Sequence, residues 1–221
     1  MATLLLRLSA PLQSWGSESK FETRRTEKFP TKSGVIGLIA SALGYSREDS
    51  LEKLNTLKFG VRIDHEGELI RDYHVAKTEK ASYVTNRYYL SDAVFLAGIE
   101  TSDTAFLDEI ETALKNPVFP LFLGKRSCPP TMPLFLGIRQ TDLLTALRNE
   151  PLLYEQRNDF GNASEQKVRI IIDSDSPAEV IRDVPISFSK TNRKFGFRNV
   201  RSEYAEIPSQ PDFIPTTHNP F

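Results

Sequence analysis

The stretch from Pro11 to Gly44 constrains this chain more than any other, because it runs a strongly basic loop straight into an apolar helix. Before it, Thr3-Leu4-Leu5-Leu6-Arg7-Leu8 reads as a buried strand that Pro11 ends. The loop then carries Lys20, Arg24, Arg25, Lys28 and Lys32. It closes on Pro30-Thr31-Lys32-Ser33-Gly34. Val35, Ile36, Leu38, Ile39, Ala42 and Leu43 follow at helical spacing, and Gly44 supplies the stop. Such a junction can aim backbone N–H groups, the helix dipole and cationic side chains at one anion.

The rest of the pattern sets the fold class. Ser46 to Asp49 reads as a capping box for a short helix reaching Asn55. Phe59–Ile63 and Leu69–His74 read as paired strands around the turn at 65–67. Residues 75–87 are a polar excursion, and Tyr88–Ile99 is strand-like again. A helix is expected over Asp103–Lys115 and a strand over Pro117–Leu123. Strand, helix, strand, strand, helix, strand is the order of a ferredoxin-like domain, the fold shared by RNA-recognition modules. The expectation is α+β, with that domain over 1–125 and a smaller β-rich lobe over 126–207. The lobe would hold a short helix at Asp142–Asn149 and strands at Leu152–Gln156, Val168–Ile172, Val184–Phe188 and Lys194–Val200. The tail at 208–221, with its prolines, is expected to be irregular.

Composition narrows the chemistry. With 28 basic and 29 acidic residues the net charge is −1, so a nucleic-acid site must come from local clustering. One cysteine, Cys128, leaves no internal disulfide and no cysteine-rich zinc site. No run approaches the roughly 18 apolar residues of a membrane span. The N-terminus lacks a basic segment followed by a long apolar one, so a cytosolic location without membrane contact fits. Lys32-Ser33 lacks the glycines of a phosphate-binding P-loop, and no G-x-G-x-x-G follows a strand. His65, His74 and His218 do not stand at ligand spacing, and no G-x-S-x-G elbow is present. No metal and no cofactor is expected. A metal-independent ribonuclease needs only a base, an acid and a cation around a 2′-hydroxyl. Tyr73, His74, Lys77 and Lys80 offer those groups, unless Tyr73 and His74 simply finish a strand.

RNA binding without chemistry has more support in the sequence. Residues 20–32 interleave five cations with Phe21 and Phe29. Residues 182–201 interleave Arg182, Lys190, Arg193, Lys194, Arg198 and Arg201 with Phe188, Phe195 and Phe197. A third patch is Gly124-Lys125-Arg126-Ser127. Phosphates need cations, and unpaired bases need flat faces to stack on. The alternative is that charge runs are solvated faces, aromatics are core and basic patches meet acidic partner proteins.

Pro11-Leu12-Gln13-Ser14-Trp15-Gly16, Thr23-Arg24-Arg25-Thr26 and the run Phe29 to Leu38 together resemble the CasD-type subunits of type I-E CRISPR Cascade complexes. So do Arg71-Asp72-Tyr73-His74, Tyr89-Leu90-Ser91-Asp92-Ala93, Phe122-Leu123-Gly124-Lys125-Arg126-Ser127-Cys128-Pro129 and Pro133 to Gly137. The resemblance covers about residues 1–140 in order, and more weakly the rest. It implies a RAMP-superfamily protein with a ferredoxin-like core and an extended β-hairpin, the thumb, at about 74–88. It also implies a non-catalytic subunit that holds the 5′ handle of crRNA and caps the backbone filament. The implied partners are the backbone subunit, the large PAM-reading subunit and, indirectly, target DNA. A related branch is itself an endoribonuclease using tyrosine, lysine and histidine. On this reading Arg24, Arg25, Lys28, Lys32 and the backbone at Ser33 and Gly34 hold handle phosphates. Lys125, Arg126 and Ser127 add a second contact, and Tyr73, His74, Lys77, Lys80 and Arg87 belong to the thumb. Gln13 and Trp15 close the first strand. Trp15 is equally readable as core.

Overall fold

The apolar run at the N-terminus forms β1, Ala2–Ser9, which lies inside a large antiparallel sheet. The computed structural model describes residues 1–16, 23–78, 82–154, 166–176 and 178–207. Short strands β2 (Leu12–Gln13) and β3 (Thr23–Arg24) precede helix α1 (Lys32–Ala42) and the single turn α2 (Glu52–Asn55). Strands β4 (Lys58–His65), β5 (Glu68–Lys77), β6 (Ser82–Ser91) and β7 (Val94–Thr101) follow. Next come α3 (Thr104–Lys115), β8 (Phe135–Arg139), α4 (Leu143–Asn149), β9 (Gln166–Asp173), β10 (Glu179–Ser187) and β11 (Lys194–Ile207).

The main sheet runs β10-β11-β9-β4-β7-β1-β8. Its β1, β4, β7 and β8, with α1 and α3 between them, follow the β-α-β-β-α-β chain order expected from sequence. One face packs Leu4, Leu6, Leu8, Phe59, Phe95 and Ile99 against Ile36 and Ile39 of α1 and Leu107 and Ile110 of α3. The other face sets Leu5, Leu96 and Ile172 against Leu143 and Leu147 of α4. Burial on both faces is why β1 reads as an unbroken apolar run. Gly60 and Gly98 face each other across β4 and β7. A Cβ on Gly98 would lie 2.6 Å from Leu143 Cδ1, so the bare pair lets α4 press onto the sheet.

Several expectations are corrected. Phe59–Ile63 and Leu69–His74 do not pair. The first belongs to buried β4, which pairs with β7 and β9; the second to β5, which pairs with β6 in a separate sheet. Gly67 (φ +69) takes the chain from one sheet to the other. A Cβ there would meet the Ser91 carbonyl at 2.3 Å. The Ser46–Asp49 motif closes a turn, in which the Ser46 amide and hydroxyl donate to Asp49, and the helix begins only at Glu52. Residues 117–123 form no strand, since Pro117 and Pro120 have no amide to donate. Instead the Val118 and Phe119 amides donate to Ala42 and Ser41 at the end of α1. The strand beside β1 is β8, further along the chain. Leu152–Tyr154 is not strand, and the rest of that expected element lies outside the described residues. Strands expected in a separate lobe continue the main sheet, because β9 pairs directly with β4. The tail at 208–221 lies outside the described residues.

Candidate nucleic-acid interface

β5 and β6 form a hairpin with an uninterrupted register from Glu68↔Ser91 to Lys77↔Ser82. Nearly every residue of β5 is exposed, so this hairpin stands clear of the core. Its root is gripped by the basic loop: Gln13 pairs with Leu90 through β2, and Arg24 lies beside Arg87 through the parallel β3–β6 pairing. The loop is closed at its base, where the Glu27 amide donates to the Trp15 carbonyl at 2.7 Å. Trp15 is core. Its Nε1 donates to Gln13 Oε1 (3.1 Å), while Gln13 Nε2 donates to the carbonyls of Leu8 and Ala93.

The Gly124–Ser127 patch docks on this root. Gly124 adopts φ +83, and a Cβ there would fall 1.7 Å from the Ser14 carbonyl, so glycine is required by both conformation and contact. Ser14 N donates to Leu123 O at 3.2 Å. Lys125 Nζ comes to rest 4.0 Å over the Tyr89 ring and 3.4 Å from the Tyr88 carbonyl. Burial pushes the Lys125 ammonium pKa down; Arg87 and Arg24 push the same way, against Cys128 and Asp72. Arg87 Nε is buried without a hydrogen-bond partner. Three sequence segments thus deliver Arg24, Arg87 and Lys125 to one positive site. Arg25, Lys28, Arg126 and Ser127 are exposed on the adjoining segments. Tyr89 and Ser14 stood in the matching sequence motifs, but their supporting roles were not legible there, because both depend on the hairpin meeting the 123–128 loop.

The helix start is a correction. The Lys32 amide donates to Asp183 (2.8 Å) and its Nζ pairs with Asp173 (2.9 Å), both in a nearly sealed site. Arg198 bridges the same carboxylates, 2.6 Å from Asp173 and 2.6 Å from Asp183. The anion at the N-terminus of α1 is therefore the protein's own, and Lys32 is removed from the phosphate-binding set. Arg198 leaves the second basic patch for the same reason. Gly34 is capped by Thr31 Oγ1 at 3.2 Å. A Cβ on it would lie 2.7 Å from the Trp15 ring, so this glycine serves packing. Ser33 is buried beside Thr31.

On the hairpin, the β pleat puts Tyr73 and Lys77 on one face and His74 on the other. His74 Nε2 meets Asp72 Oδ2, its neighbour on the same face. Tyr73 is exposed. Lys80, between β5 and β6 in sequence, lies outside the described residues. No group of three His, Cys, Asp or Glu side chains is gathered among the described residues. No helix there is long and apolar enough to cross a membrane.

Residues 3–201 match the family described as CRISPR-associated protein, Cas5. The chain belongs to the Cas5 family. It is 39% identical over 176 residues to the CRISPR system Cascade subunit CasD of Escherichia coli (strain K12), covering 67% of this chain and 77% of that protein. Among solved structures, a chain of a CRISPR RNA-guided surveillance complex superposes with a TM-score of 0.79 at 32% identity, covering 93% of this chain and 91% of that one. A crystal structure of a Cas protein gives 0.75 at 37% identity, covering 95% and 100%. The CasD-type RAMP resemblance carried by the sequence motifs is therefore shown, as is the α+β RAMP architecture.

Proposed function

We propose that this chain is a non-catalytic crRNA-binding subunit of a Cascade-type CRISPR complex, acting in antiviral defence in the cytoplasm. The Arg24–Arg87–Lys125 site at the hairpin root holds the 5′ handle. The hairpin is the thumb that meets the adjacent backbone subunit, so the chain caps the backbone filament. The large PAM-reading subunit is the second protein neighbour, and target DNA is reached through the guide. The observation that carries this reading is the convergence of those cations around a buried guanidinium nitrogen that has no partner. Gathering three cations with Asp72 as the one carboxylate acting on Lys125 leaves a positive excess, and that costs free energy that an anionic ligand recovers. Identity to a Cascade subunit directs the choice of anion to guide RNA.

The test is a triple Arg24→Ala, Arg87→Ala, Lys125→Ala variant in the assembled complex, with handle-RNA retention measured across salt. Each lost phosphate contact is expected to flatten the salt slope by about 0.7. An unchanged slope removes the site. The endoribonuclease alternative is disfavoured by the pleat, which separates Tyr73 from His74. Pure protein incubated with labelled repeat RNA in EDTA is expected to leave it intact. Specific cleavage lost in His74→Ala would reverse that conclusion.

A further inference from the structure

A cavity of about 250 Å³ opens beside α1, between the helix and three loops. Its aromatic walls are Tyr45, Phe122 and Phe188, and Arg47 and Arg193 stand at its rim. Ser33, Gly37 and Ser41, spaced one helical turn apart, form the helical side. The Phe188 ring lies close over Gly37, where a Cβ would come within 3.4 Å of Cζ. Neither arginine has a carboxylate within ion-pair distance among the described residues. Asp49, the acid nearest Arg47 in sequence after Glu48, accepts from the Ser46 amide and hydroxyl instead. Arg193 lies 5.1 Å from the centre of the Phe195 ring, and its pKa is pushed down by desolvation and then by Arg47. Two guanidinium groups are thus held close enough to repel, over flat apolar walls, in a space that no side chain of the described residues fills.

We propose that this cavity takes one unstacked nucleotide of single-stranded RNA, its base against Phe188 and Tyr45 and its phosphate between Arg47 and Arg193. The inference rests on the reading that this chain holds crRNA. The volume is below the roughly 300–1,000 Å³ of sites that enclose a drug-sized ligand, so it suits a single base rather than a longer one. Guanidinium groups match phosphate in fixed fork geometry, and every base has a face to stack. The cavity and the first site also share one loop. Gly124 lines it, and the next residue, Lys125, belongs to the hairpin-root cluster. An RNA strand held at that cluster would need to cross only Gly124 to reach the cavity. A partner's acidic side chain would satisfy the arginines but would leave the three aromatic walls without a ligand.

The experiment uses the assembled complex, loaded with crRNA carrying a single 4-thiouridine at each handle position in turn. After irradiation the crosslinked peptides are mapped. One position is expected to join the peptide that holds Phe188 or Tyr45, and that crosslink falls about tenfold in Phe188→Leu, which keeps apolar bulk but removes the stacking face. The double variant Arg47→Ala, Arg193→Ala changes two exposed residues. It is expected to flatten the salt slope by about 0.7, for one phosphate. Crosslinks confined to the hairpin and the Lys125–Ser127 loop, with an unchanged slope in the double variant, overturn the cavity and leave the handle-binding reading standing. No crosslink to this chain from any position overturns both. A partner-protein peptide captured in the cavity by a carboxylate-reactive crosslinker also overturns the nucleotide.

Discussion

Two groups of cations surround α1, and they differ in one respect. At the helix start, Lys32 and Arg198 share Asp173 and Asp183 in a nearly dry network that also receives the Lys32 and Phe59 amides. At the hairpin root and the cavity rim, Arg24, Arg87, Lys125, Arg47 and Arg193 converge from distant segments, and among the described residues none is bonded to a carboxylate. In sequence the two groups look alike, because both mix arginine, lysine and phenylalanine. In the fold the first group joins α1 to β9, β10 and β11, whereas the second is left with charge to neutralise. Buried charge with a bonded partner is structural, and gathered charge left in excess is what the proposed site offers an anion. That difference sorts the basic patches into those that hold the protein together and those left open to an anionic ligand.

The largest expected effect comes from breaking the first group. Asp183→Ala leaves Arg198 without its two-pronged partner and the Lys32 amide without an acceptor. Removing one member of a buried ion pair typically costs about 3–5 kcal/mol, so the denaturant midpoint should fall sharply. The contrast with the second group fails if stability holds while handle binding is lost. A smaller effect is expected for Gly34→Ala. Its new Cβ would press on the Trp15 ring, and overpacking of this kind costs about 1–3 kcal/mol. The salt slope of RNA binding should not change, because the glycine serves packing rather than phosphate. A flattened slope with unchanged stability would return Gly34 to the phosphate-binding set.

Periodicity exposed the long elements well. The strand at the N-terminus, the helix after Ser33, the helix after Asp103 and the α+β order were all legible, because each buries a regular apolar face. Pairing was not. Nothing in residues 59–74 says that a tight turn at Gly67 sends the chain into another sheet, since that depends on the Ser91 carbonyl, distant in sequence. The fate of Lys32 was equally hidden. Its partners Asp173 and Asp183 lie more than a hundred residues away, and only the path of β9 and β10 brings them together. The Arg24, Lys125 and Arg87 positions were visible as cations, but their convergence was not, because it requires the hairpin root to be in place. Arg47 gave no signal: it precedes Glu48 and Asp49 and reads as an ordinary solvated charge.

The finest expected effect is a pH dependence with opposite signs for folding and for RNA binding. Lys125 is held below its usual pKa of 10.5 by burial first, and also by Arg87 and Arg24. The folded, RNA-free protein therefore binds fewer protons there than the unfolded chain does in the alkaline range. Stability should rise with pH as Lys125 titrates, up to its unfolded value. RNA phosphate acts in the other direction. It favours the ammonium and raises the pKa in the complex, so binding takes up protons. Handle affinity should be full below the pKa of the free protein and should fall as pH rises through that of the complex. Lys125→Met removes the titrating group and should abolish both dependences together, while Lys32→Met should leave the binding profile unchanged. If the alkaline loss of affinity persists in Lys125→Met, the lysine is a packing residue like those around Trp15, and the phosphate site reduces to Arg24 and Arg87.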